Sequence, residues 1–141
     1  MTLYVVDASV AAKWFVPEAL SDEAARLLEE DDHELACPDL LLPEVGSILW
    51  KKVLRKEITA AEAGAILRAL GRVPLAVFPS HSLVEGALDL ALAARRSVYD
   101  CLYLALALAL DCKLVTADRR FASALAARPL SGSVLWLGSI G

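Results

Sequence analysis

Four carboxylates occupy positions from which strands and helices can present side chains to one shared edge: Asp7, Glu44, Asp100 and Asp118. Asp7 directly follows the apolar run Leu3-Tyr-Val-Val, and Asp118 closes Lys113-Leu-Val-Thr-Ala-Asp. Both runs read as short buried strands. The C-terminal ends of strands in a parallel α/β sheet form the edge where ligands bind. Asp100 lies in Ser97-Val-Tyr-Asp, the spacing of a helix N-cap and its N3 residue. It opens the run Cys101 to Leu110, apolar at every position. A helix apolar on all sides is buried, and ten residues are too few to cross a bilayer. Glu44 lies near the start of a helix opened by Pro38-Asp-Leu-Leu-Leu-Pro-Glu-Val, with Asp39 as its cap. Positions 41, 44, 45 and 48 share one helix face, so Glu44 is an acid among Leu41, Val45 and Ile48. Two readings of it stand: a paired, inward carboxylate, or an outward one favouring the helix N-terminus.

Each acid also has a purely structural explanation. Asp7 and Asp118 precede helices and can serve as N-caps. Together, the four placements point to chemistry. Carboxylates this close repel by about 4 kcal/mol per close pair at an effective dielectric of about 20. Protons or a cation must offset that repulsion. All-oxygen ligation without His or Cys selects a hard ion, Mg²⁺ or Mn²⁺. Such an ion supports water attack in an in-line phosphoryl displacement. Lys13, Arg95, Arg96, Arg119 and Arg120 each lie close in sequence to one of the acids and are candidates for holding a nucleic-acid backbone. Ser9, two residues after Asp7, can hold a carboxylate or a water. The chain has no glycine-rich phosphate loop, no nucleophile elbow and no Ser-His-Asp or Cys-His set.

The elements that must position these groups alternate along the chain. Strands are expected at Leu3–Val6, Glu34–Cys37, Val73–Phe78, Lys113–Val115 and Val134–Leu137. Helices are expected at Ala8–Phe15, Ser21–Glu30 capped by Ser21, from Pro38 to about Glu57, from Thr59 to Leu70 through the capping box Thr59-Ala-Ala-Glu62, from Ser80 to Arg95 or Arg96, over the central run, and from Arg119 to Ala127. Pro129-Leu-Ser-Gly is expected to turn. The alternation predicts an α/β domain over residues 1–141, a central parallel sheet of about five strands with helices on both faces. The basic face Lys51, Lys52, Arg55 and Lys56 reads as solvated, and His33 as a turn residue without metal-ligand spacing.

At 57% apolar residues, the 141-residue chain exceeds the usual roughly 45–50%. The surplus predicts a further buried surface, against a second copy or a partner. A net charge of −4 argues against general polyanion binding by a basic surface, while leaving room for a local basic rim. Three cysteines without a C-x-x-C, and no signal-peptide pattern, predict reduced thiols in a cytoplasmic protein.

In this order and spacing, Val5-Val-Asp-Ala-Ser-Val, Lys13-Trp-Phe, Pro38-Asp-Leu-Leu-Leu-Pro-Glu-Val, Tyr99-Asp-Cys-Leu-Tyr-Leu-Ala-Leu-Ala and Leu114-Val-Thr-Ala-Asp-Arg-Arg-Phe resemble the PIN-domain ribonucleases, specifically the VapC-type toxins of toxin–antitoxin pairs. The resemblance implies a metal-dependent endoribonuclease toxin, usually a homodimer, neutralised by a VapB-like antitoxin that wraps it and blocks the acidic site. It places the family's acids on Asp7, Glu44, Asp100 and Asp118, and its hydroxyl helpers on Ser9 and Thr116. Many relatives carry Asn three residues after the helix acid, where this chain has Ser47.

Two other classes compete. A receiver-like domain phosphorylated on Asp needs adjacent acids after strand one and a Lys after a late strand. Here Ala8 follows Asp7, and Lys113 stands at the start of its strand, not after it. A non-catalytic interaction module on the same scaffold generally lacks one or more of the acids, and this chain keeps all four.

Overall fold

A computed structural model describes residues 2–126 and 131–140. Five parallel strands form one sheet: β1 (Thr2–Val6), β2 (His33–Pro38), β3 (Ala76–Phe78), β4 (Lys113–Thr116) and β5 (Val134–Trp136), in spatial order β3-β2-β1-β4-β5. The helices are α1 (Ala8–Lys13), α2 (Ser21–Glu29), α3 (Leu41–Leu54), α4 (Ala60–Leu70), α5 (Val84–Ala94), α6 (Val98–Ala109) and α7 (Arg119–Ala126). The expected α/β class and five-stranded parallel sheet are therefore present. Part of the expected turn, Pro129 and Leu130, lies outside the described residues, as does Ala127.

Strand order explains where a site can form. From β1 the chain steps outward through β2 to β3, then returns to lay β4 on the other side of β1. The two directions part between β1 and β4, and such a switch point opens a crevice at the C-terminal strand ends. Register fixes the two strands there: Val5 pairs with Leu114 and Val6 with Val115. Asp7, one residue past β1, and Asp118, two past β4, thus leave the sheet side by side.

Helix α6 supplies the centre of the core. Cys101 to Ala107 are buried without a break, whereas Leu108 and Ala109 in the last turn are exposed. One buried cluster joins Tyr103, Leu104 and Leu106 of α6 to Val5, Cys37, Leu41, Val45 and Phe121; another, around Val6, Val10, Leu27 and Val115, lies under α1 and α2. Cys37, Cys101 and Cys112 are free thiols. Burial pushes Cys37 up to about 12 and Cys101 up to about 11, so both pack as apolar groups.

Three expected caps are replaced. Ser21 does not cap α2: Leu20 precedes the helix at φ 69°, and the Ser21 hydroxyl accepts from Glu18 N–H and donates to the Val16 carbonyl. Asp39 does not cap α3, which starts after Leu40, and Ser80 opens a 3₁₀ turn before α5. These two residues bond each other instead, Ser80 N–H and Oγ both donating to Asp39 Oδ1. A contact spanning 41 residues takes the groups that local pattern assigned to helix ends. The Thr59–Glu62 capping box and the Ser97 cap form as expected.

Candidate active site at the switch point

Asp7 is 8% exposed and lies at the start of α1. Its Oδ1 accepts from Val10 N–H at 3.2 Å, so it does cap the helix, and from Ser9 Oγ at 2.5 Å. Thr116 also hydrogen-bonds to it. Both hydroxyls are held in turn by the loop after β4. Ala117 N–H donates to Ser9 Oγ at 3.0 Å, and Asp118 N–H to Thr116 Oγ1 at 3.0 Å. Two backbone amides after β4 therefore aim two hydroxyls at the acid after β1. Burial pushes Asp7 up to about 6 against these bonds, and the charge of Asp100 adds to the rise.

Glu44, in the first turn of α3, is half-buried, which decides between its two readings. Its Oε1 accepts from the Tyr103 hydroxyl of α6 at 2.5 Å. Burial and Asp100 hold Glu44 above the usual carboxylate range even so. Asp100 is at N3 of α6, where Ser97 Oγ accepts its N–H at 3.1 Å. Asp118 caps α7, its Oδ1 accepting from Phe121 N–H at 3.1 Å. Arg96 joins the last two acids, its Nη2 lying 3.0 Å from Asp100 Oδ2 and 2.8 Å from Asp118 Oδ2. The four sequence-selected acids thus meet from β1, α3, α6 and β4. Asp100 links them, raising both Asp7 and Glu44 and sharing Arg96 with Asp118.

The donor chemistry fits a hard divalent ion, since every candidate ligand is a carboxylate oxygen. Among the described residues, the set of three or more potential ligand side chains whose atoms all lie within 4.8 Å is Glu30, Asp32 and His33, not any three of the quartet. That trio lies at the opposite, N-terminal edge of the sheet, where Thr2 pairs with His33, and His33 Nε2 is 3.3 Å from Glu30. It gives His33 acidic partners that the sequence reading did not. The quartet itself is more open than an all-protein cage. An ion such as Mg²⁺ that keeps several waters and takes one or two carboxylates suits that spacing.

The basic candidates divide. Lys13 lines a cleft of about 380 Å³ together with Ser9, Lys51, Lys52, Arg55 and Asp118. Glu18 bridges Lys13 and Lys52, at 3.1 Å from each. A second cleft of about 280 Å³, lined by Glu44, Ser47, Lys51 and Tyr99 among others, shares Ile48 and Lys51 with the first. Of the basic residues read as solvated, Lys51, Arg55 and Lys56 are exposed, but Lys51 borders both clefts, Lys52 and Arg55 border the first, and the Lys52 side chain is only 14% exposed. Arg96 lies within the acidic site. Arg119 stacks over the Trp136 ring at 4.7 Å, and Arg95 and Arg120 are exposed. Tyr103, Lys51 and Arg55 are the residues the sequence reading passed over; the signal for Tyr103 was a hydroxyl three residues after Asp100 in an otherwise apolar helix.

With this geometry go the likenesses to known proteins. The PIN domain family model matches residues 4–125. The chain belongs to the PIN-domain family. Ribonuclease VapC3 of Pyrobaculum aerophilum is 38% identical over 120 residues, covering 84% of this chain and 91% of the relative. Among solved structures, PAE2754 from Pyrobaculum aerophilum superposes with a TM-score of 0.71 at 23% identity, over 99% of this chain and 93% of the other. Mycobacterium tuberculosis VapC20, described as a sarcin-ricin loop cleaving toxin, gives 0.66 at 19% identity, over 86% and 94%. At those identities the two structures speak for the fold alone. The resemblance drawn from the short motifs holds across the chain.

Proposed function

We propose that the protein is an endoribonuclease toxin that hydrolyses RNA phosphodiester bonds with Mg²⁺ or Mn²⁺ at Asp7, Glu44, Asp100 and Asp118. The observation that carries this reading is the placement of the quartet: Asp7 and Asp118 follow neighbouring strands, one arginine nitrogen bridges Asp118 to Asp100, and Tyr103 of the same helix α6 holds Glu44. Acids arranged to oppose one another need a cation, and all of theirs are oxygen donors. When bound, the ion offsets charge that builds on the phosphate and makes water a better nucleophile.

The chain's own groups do the rest. Ser9 and Thr116 orient Asp7, and Tyr103 orients Glu44, leaving Glu44 Oε2 to face an ion or its water. Lys13, Lys51, Lys52 and Arg55 hold phosphates along the joined clefts, with Arg95, Arg119 and Arg120 on the rim. Tyr99, 61% exposed at the mouth of the second cleft, offers a ring for an unstacked base.

Two partners complete the reading. The exposed α5 stripe Val84, Leu88 and Leu92, spaced i, i+4, i+8, supports a homodimer. The concave apolar groove between α3 and α4, lined by Leu49, Trp50, Val53, Ala63 and Leu67, supports docking of a VapB-like antitoxin segment. The family resemblance and the free thiols favour the cytoplasm as the place where such a pair acts; no described helix is long and apolar enough to cross a membrane.

The test is cleavage of mixed transfer and ribosomal RNA by partner-free protein in Mg²⁺ or Mn²⁺, in EDTA, and with Asp7→Asn or Asp100→Asn. Cleavage lost in EDTA and in both variants is expected. Cleavage that survives either treatment overturns the mechanism.

A further inference from the structure

Arg96 makes the contacts that a bound cation would make. A single terminal nitrogen, Nη2, lies between Asp100 Oδ2 and Asp118 Oδ2, which belong to α6 and to the loop after β4. The guanidinium rests 5.1 Å from the centre of the Phe121 ring, so the stem is held as well as the head. Its side chain is 23% exposed, more enclosed than the two carboxylates it holds, at 36% and 39%. Both Asp118 oxygens are engaged in this state: Oδ1 caps α7 and Oδ2 accepts from Arg96, one hydrogen bond on each. Each oxygen keeps a second lone pair, but a divalent ion on Oδ2 would stand against the guanidinium charge, whose Nη2 is 2.8 Å from that oxygen, and the repulsion favours exchange over sharing.

The arginine pose is also incompletely satisfied. Its Nε is buried without a hydrogen-bond partner. A buried donor left unpaired is unfavourable, and a head turned out toward solvent would regain a partner. The pose therefore combines two charge-assisted bonds with a built-in reason to leave.

We propose that Arg96 is the resident counter-ion of the Asp100–Asp118 pair, and that divalent metal binds by displacing it. The inference rests on the metal-dependent reading above. Arg96 is then a positioning residue: it keeps the metal-free acids from repelling one another and sets how much free metal the site needs. An arginine suits this role because its planar head rests over Phe121 while one terminal nitrogen reaches both carboxylates.

Calorimetric titration of RNA-free protein with Mn²⁺, wild type against Arg96→Met, tests it. Methionine keeps an apolar stem against Phe121 and removes the competitor. The variant should bind Mn²⁺ roughly tenfold more tightly, within the usual range of coupling between two ligands. Its metal-free melting temperature should fall, and its rise on adding metal should exceed that of wild type. In the wild type, the ¹⁵N–¹H signal of Arg96 Nε should move during a Mg²⁺ titration with the midpoint of the binding heat. That signal tests the proposal even where Arg96→Met fails to fold. Equal or weaker Mn²⁺ binding by the variant, or an Arg96 signal that stays put while metal binds, overturns displacement and leaves the metal reading intact. Wild-type protein that takes up no metal at millimolar concentration overturns the metal reading, and this inference with it.

Discussion

The Tyr103 hydroxyl donates to Glu44 Oε1 at 2.5 Å, tying the central helix α6 to α3 inside the candidate site. Tyr103 is 2% exposed, so its hydroxyl has no route to water. Burial and the neighbouring Glu44 charge push the phenol far above its usual range, so it stays a donor at every working pH. Removal of that hydroxyl leaves a half-buried carboxylate short of a partner. Tyr103→Phe should lose about 1–3 kcal/mol in urea denaturation. It should also weaken Mn²⁺ binding and RNA cleavage, with Glu44 moving further above the carboxylate range. A variant with unchanged metal affinity would confine Tyr103 to packing.

The pH dependence follows from Asp7. Its folded value, about 6, lies above the ordinary 3.8, so the fold favours the protonated acid. That stability is fully present below about 3.8 and is lost as pH rises through about 6. Metal-free protein should lose on the order of 3 kcal/mol over this window, and Asp7→Asn should flatten the profile. Metal affinity should run the other way, falling about tenfold per pH unit below about 6, because ligation needs the ionised acid. Denaturation and Mn²⁺ titration across the window check both slopes.

Ser9 gives a second handle on the same acid. It donates to Asp7 Oδ1 and accepts from Ala117 N–H. Ser9→Ala removes a bond that lowers Asp7, so the midpoint of metal affinity against pH should move above that of wild type. Stability should fall by about 1–3 kcal/mol, since the Ala117 amide loses its acceptor. Ser9→Thr, which restores a hydroxyl, should return the midpoint toward wild type. An unmoved midpoint in Ser9→Ala would disconnect Ser9 from the site.

Leu92, 74% exposed on α5, tests self-association. Leu92→Glu should yield monomer by sedimentation at concentrations where wild type is a dimer. The exposed site should hold its effect on monomer stability within about 0.5 kcal/mol. Identical masses for both proteins would remove α5 from the interface.

Much of the site was legible because the acids lie at element boundaries that pattern reading detects. Asp7 and Asp118 mark the ends of apolar runs, and Asp100 follows a serine at capping distance. Glu44 stood out as a charge on an apolar face, but its direction depended on Tyr103, 59 residues away. Tyr103 itself was hidden by composition, since a tyrosine in a run of leucine and alanine reads as core, and its ring is core. The basic face of α3 was undervalued for the opposite reason: a lysine cluster at a helix end looks solvated until the facing element is known. That element here is the segment after α1, whose Glu18 reaches Lys52. The exchanged roles of Asp39 and Ser80 teach the same lesson about tertiary partners overriding local caps.

The junction between β1 and β4 has a consequence for synthesis. Ser9 and Ala117, which share a hydrogen bond, are separated by 108 residues. Translation at about 5–20 residues per second needs roughly 5–20 s to cover that distance. Through that interval a growing chain holds Asp7, and later Glu44, but neither of the amides that hold Ser9 and Thr116, nor Asp118. The candidate site is completed late, when the fourth strand docks beside the first. Ribosomes that stall before Lys113 therefore leave chains that lack β4 and Asp118.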